Sequence, residues 1–130
     1  MILLVVVLYF LIIITLNEFE RNHKTYIVKR FPFLIDRGYK MSYRSINGES
    51  VSSFYNGNIT FDLINEYEYI DIAVRRGINF PYEKEANIRK ILKDVDYEHN
   101  LNLLSPMQKV DLIAELIQEK YDEIITYISE

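Results

Sequence analysis

The densest set of potential ligands in the chain is Asp94, Asp96, Glu98 and His99, in the stretch KDVDYEHNLNLL. A calcium loop of the EF-hand type needs a glycine at its sharp turn and a distant bidentate carboxylate, and this stretch has neither. A structural zinc site needs thiolates or several imidazoles at set spacing, whereas the chain has no cysteine and only two histidines, His23 and His99. The stretch therefore reads as a solvated acidic connector. Carboxylate pairs such as Glu66 with Glu68 and Glu83 with Glu85 suit general acid–base work only inside a pocket that shifts a pKa, and nothing in their surroundings marks one. Serines 42, 45, 50, 52 and 53 lack a nucleophile elbow, and four singly scattered glycines make no phosphate loop. Arg75-Arg76 reads as the rim of a sheet. The expectation is no catalytic residue, no cofactor and no metal, hence not an enzyme.

A different chemistry is suggested by tyrosines interleaved with carboxylates. Tyr55, Asp62, Tyr67, Tyr69 and Asp71 are expected on one side of a sheet. From Asp62 to Val74 the chain has four acidic side chains and no basic one. Tyrosine buries a large area at low entropy cost, so these five residues are the candidate protein-binding set. A net charge of −4 argues against a nucleic-acid partner, which would need phosphate neutralisation.

The elements that would position this set follow from turn chemistry. Asn47-Gly48 and Asn56-Gly57 separate alternating segments, and Asn-Gly favours a two-residue hairpin turn. Taken literally, these turns pair Met41 with Phe54, and Phe54 with Ile59. A third turn at Asn65-Glu66 pairs Phe61 with Ile70, and places Asp62 opposite Tyr69 and Thr60 opposite Asp71. One face then collects Met41, Tyr43, Phe54, Ile59, Phe61, Leu63, Ile70, Ile72 and Val74. The other collects the polar and tyrosine side chains. A one-sided sheet needs a cover. Ser105-Pro106 with Gln108 forms a capping-box pattern, followed by an apolar stripe from Met107 through Val110, Ala114, Ile117, Tyr121 and Ile124 to Ile128. That width predicts packing on the sheet rather than a helix–helix seam. Ile88, Ile91 and Leu92 predict a helix within 83–93. Ile27, Phe31, Leu34 and Ile35 predict one from about 19 to 37, broken near Pro32 and stopped at Gly38.

Residues 1–16, MILLVVVLYFLIIITL, hold no charge and one polar side chain, Thr15. As a helix they span about 24 Å, slightly under the roughly 30 Å of a hydrocarbon core. An uncleaved membrane anchor over residues 1–17 fits best. A cleaved signal would want a basic start and a small-residue cleavage site; a core element would bring the run inside the domain. Arg21, Lys24, Lys29, Arg30 and Arg37 follow the run, so residues 18–130 are expected in the cytoplasm. If the run belongs to the core, the protein would be soluble and cytoplasmic. Residues 18–130 contain no repeat or linker and read as one domain.

The segment Phe33-Leu34-Ile35-Asp36-Arg37-Gly38-Tyr39, entered from a helix and followed by a meander, resembles small bacterial α+β proteins of unassigned function. Some of those resemble immunity proteins that neutralise toxins. The resemblance covers residues 27–75 and implies a protein partner, a toxin in that case, without transferring any residue's role. The expected fold is α+β: an N-terminal helix, a four-stranded antiparallel meander and helices on one face. The expected function is a non-catalytic binding module. A membrane-tethered accessory subunit joining a partner through its C-terminal helix is the alternative. Oligomeric state is not encoded in any of these features.

Overall fold

A computed structural model describes residues 2–46, 48–66, 69–93 and 104–130, and the side chains of all of these except 15–24, 46, 66, 69 and 106. The fold is α+β. Helix α1 (Ile2–Arg30) leads into a short α2 (Pro32–Asp36). Strands β1 (Lys40–Ile46), β2 (Glu49–Tyr55), β3 (Ile59–Glu66), β4 (Tyr69–Arg76) and β5 (Lys84–Asn87) follow, then one turn of helix, α3 (Ile88–Ile91), and the long α4 (Pro106–Ser129). The five strands form one antiparallel sheet in sequence order.

The hairpin registers show which turn geometry each loop adopts. Met41 faces Phe54 and Ile46 faces Glu49, as a turn at 47–48 requires; Gly48 has φ 82°, while residue 47 lies outside the described residues. The second turn closes one residue later than the literal reading. Asn56 N–H donates to the Ile59 carbonyl, Gly57 (φ 104°) and Asn58 form the bend, and Phe54 faces Phe61 instead of Ile59. Asn56 Oδ1 accepts from the backbone N–H of Asn58 and Ile59, so its side chain folds the turn from outside the bend. The third connection is later by two: Glu66 faces Tyr69, Phe61 faces Val74 and Leu63 faces Ile72. The apolar face is unchanged. A two-residue loop always pairs an odd-numbered residue with an even one, so sliding the turn re-pairs side chains without moving them across the sheet.

The strand count is a correction: five, not four. Residues 84–87, expected in a helix, pair with β4 from Arg76↔Lys84 to Ala73↔Asn87. The backbone of β4 needs partners on its outer edge, and Glu83 N–H donating to the Arg76 carbonyl starts the pairing. Ala86, opposite Val74, is small enough to lie under α4, and Asn87 ends the strand by capping α3 through Lys90 N–H. The helical stretch that was expected is thus a single turn.

The core lies between the apolar sheet face and the helices. Phe54 and Phe61 are fully buried, and so are Ile113, Ile117, Ile124 and Ile128 of α4. The Phe31 ring meets Phe54 at 5.0 Å, and Phe61, Tyr39 and Tyr121 form a triangle of rings, with Phe61 5.7 Å from Tyr39 and 6.2 Å from Tyr121. Tyr39 and Tyr121 share a 2.9 Å hydroxyl–hydroxyl hydrogen bond. Burial first, and that bond second, push the Tyr39 phenol well above its ordinary value. Pro32 opens α2 as its first residue. The α2 stop is a Schellman motif: Tyr39 N–H reaches the Leu34 carbonyl, Gly38 N–H reaches Ile35, and φ at Gly38 is 89°. At the start of α4 both halves of the capping box are present, Ser105 Oγ accepting from Gln108 N–H and Gln108 Oε1 accepting from Ser105 N–H. Ser105→Ala should therefore cost about 1 kcal/mol in urea unfolding, with the slope unchanged.

α1 runs unbroken through 29 residues. Its last turns are fixed to the domain: Ile27 is fully buried, Tyr26 Oη donates to Asp111 at 2.7 Å, and Arg30 pairs with Asp111 at 3.0 Å. Burial, with that carboxylate next, raises the Tyr26 phenol pKa. Residues 2–12 of the apolar start are all exposed, from Ile2 at 84% to Val6 at 42%, so this part of the run is not a core element. No helix among the described residues is long and apolar enough to cross a membrane.

Candidate functional site

α4, with Phe31 at the α1–α2 junction packed on Phe54, covers one side of the sheet; the other side, except where Arg89 of α3 lies over Asp71, is open. Here the sheet and the β4–β5 loop enclose a groove of about 610 Å³. Its floor is built by alternation. Ser53 of β2, Asp62 of β3 and Ala73 of β4 form one cross-strand row, and Tyr55, Thr60 and Arg75 form the next. Thr60 is buried at the bottom, and Tyr55 stands exposed at one end.

One polar chain orders the floor. Ser53 Oγ donates to Asp62 Oδ1 at 2.5 Å, and Asp62 Oδ2 lies 2.9 Å from Arg75 Nε. The Arg75 guanidinium in turn stacks over the Tyr82 ring at 4.4 Å. Three strands and the loop are linked by these contacts, which hold the side chains in place before any partner arrives. The β4–β5 loop forms the rim: Gly77 turns it at φ 111°, and Ile78 and Phe80 project from it 71% and 83% exposed. Phe80 is braced edge-on by Tyr82 at 6.0 Å.

The five candidate residues separate on inspection. Tyr55 and Asp62 both line the groove. Asp71 points to the same side but is buried, its carboxylate 2.7 Å from Arg89 of α3 and accepting from Ile72 N–H. Tyr67 and the Tyr69 side chain lie outside the described residues, as do Asp94, Asp96, Glu98 and His99. Asp62 and Asp71 each carry an arginine partner, which alters the electrostatics expected from the 62–74 window. That window stops one residue before Arg75, and the register reading put Tyr69 opposite Asp62, where Ala73 stands. Arg75, Ile78, Phe80 and Tyr82 were missed. An apolar Phe80-Pro81-Tyr82 following Gly77 is the signal that marks them, because a solvated loop has no need of two aromatic rings.

The arrangement suits binding. Ser53 donates to a carboxylate that is itself paired with Arg75, so its hydroxyl is held within the polar floor. Among the described residues no group of three or more His, Cys, Asp or Glu side chains is placed to hold a metal ion. No family model matches the chain, and neither a curated protein nor a solved structure does.

Proposed function

We propose that this chain is a non-catalytic protein-binding module that engages its partner with the open sheet face and the β4–β5 loop. The observation that carries the reading is the groove itself: a pre-ordered polar floor lined by exposed Tyr55 and Ile78, with exposed Phe80 on the same loop against the lining residue Tyr82. Rigid aromatic and aliphatic anchors around a satisfied polar network are what a protein interface uses. An immunity-type role, neutralising a toxin, is one form of this reading. Because Asp62 and Asp71 are paired with arginines, contact area at the rim, rather than net acidity, supplies the affinity. The apolar start of α1 attaches the module to a membrane.

The accessory-subunit alternative relied on the apolar stripe of α4. Val110, Ile117, Ile124 and Ile128 of that stripe are buried in the module's own core, which leaves little of it to join a partner helix. The test uses a partner recovered by photo-cross-linking from Tyr55. The pair Tyr55→Ala and Phe80→Ala should abolish capture while changing stability by no more than roughly 0.5 kcal/mol, since both side chains are exposed. Capture should weaken only modestly with added salt. A partner held with unchanged affinity by the double variant would exclude the groove as the interface.

A further inference from the structure

Resting on the membrane-attachment reading, we infer that α1 enters the hydrocarbon of a bilayer end-on and holds the domain off the surface as a rigid strut. From Ile2 to Ile12 every side chain is exposed, around three full turns, and Ile14 is too. A helix lying in the interface plane needs a polar face, and a protein groove takes one apolar stripe. Neither fits a rod that is apolar on all sides; acyl chains, which surround it, do.

The depth follows from the helical rise. Residues 2–14 extend about 20 Å of the roughly 30 Å hydrocarbon core, a length of all-round apolar surface that acyl chains can cover. The next turns carry the polar sequence Asn17-Glu18 and then Glu20-Arg21-Asn22-His23-Lys24. They continue as helix for about 18 Å more before Tyr26 and Ile27 lock onto α4 and the core. There is no linker at which the domain could swivel, so α1 itself sets the height and tilt of the groove above the bilayer.

The chain has no tryptophan, which makes single reporters clean. Phe10→Trp sits on the rod, and Val28→Trp sits on the solvent side of the locked turns, both at exposed positions. The full chain is mixed with phosphatidylcholine vesicles and floated on a density gradient, then remeasured with brominated acyl chains. The expected result is flotation that persists at high salt, most of the Phe10→Trp emission lost to bromine, and Val28→Trp emission unchanged. Leu4→Lys with Leu8→Lys should stay at the bottom of the gradient with an unaltered melting curve. Equal quenching at both positions means that the helix lies flat, which overturns the strut and leaves membrane attachment standing. Absence of flotation, with the rod buried in an oligomer instead, overturns both.

Discussion

Phe61→Asp is expected to leave no cooperatively folded protein. Phe61 is fully buried at the centre of β3, facing Phe54 and Val74 across the strands and packed against the rings of Tyr39 and Tyr121. Truncating such a ring removes roughly 3–5 kcal/mol. An aspartate adds the burial of an unpaired charge in a site whose neighbours are aromatic carbons and two hydroxyls already bonded to each other. The two losses together exceed the lower part of the roughly 5–15 kcal/mol range of domain stability. Circular dichroism and a urea titration read the outcome, and a sigmoidal transition with native ellipticity would contradict this description of the core. Phe61→Leu separates shape from charge: it should fold, destabilised by about 1–2 kcal/mol, because it keeps most of the apolar volume.

Much of that core is readable from the primary structure, and the reason is geometric. Alternation along strands joined by two-residue loops fixes which side chains share a face whichever residues form the bend, so Phe54, Phe61, Leu63, Ile72 and Val74 could be grouped although two of the three turns close later than expected. The α4 stripe was legible for a similar reason: 24 residues give the helical period room to repeat, and the capping box marks its start. What alternation does not supply is the diagonal neighbour. Sliding the third turn by two residues removes Tyr69 from Asp62 and brings Arg75 beside it, turning an apparently acidic face into a paired one. β5 was illegible because Lys84-Glu85-Ala86-Asn87 has little strand propensity of its own; it is a strand because β4 has an unpaired edge. The groove rim was legible only in part: Phe80-Pro81-Tyr82 marks a loop with two aromatic rings, but not which way they face. Ile78 and Phe80 look like core residues by type, and only the fold shows that they stand in solvent.

The Asp71–Arg89 contact should matter more for stability than Arg30–Asp111, and Arg89→Met is expected to cost roughly 2–4 kcal/mol. The two side chains are 13% and 30% exposed, against 40% and 48% for Asp111 and Arg30. Water can replace Arg30, so Arg30→Ala should cost at most about 1 kcal/mol. It has little access to Asp71, which lies on β4 opposite Ile64 with Arg89 of α3 closing over it. Removing the arginine takes away the charge that faces this carboxylate while the Ile72 N–H is kept, and that lost neutralisation is the expected source of the penalty. It follows that the cost is not the worth of the pair. Replacing both members, Asp71→Val with Arg89→Met, should recover most of the lost stability, because two apolar side chains fill the site without a charge to solvate. Urea midpoints of the two single variants and the double variant decide between these terms. If the double variant is no more stable than Arg89→Met alone, the contribution of Arg89 lies in its packing across α3 and not in neutralising Asp71.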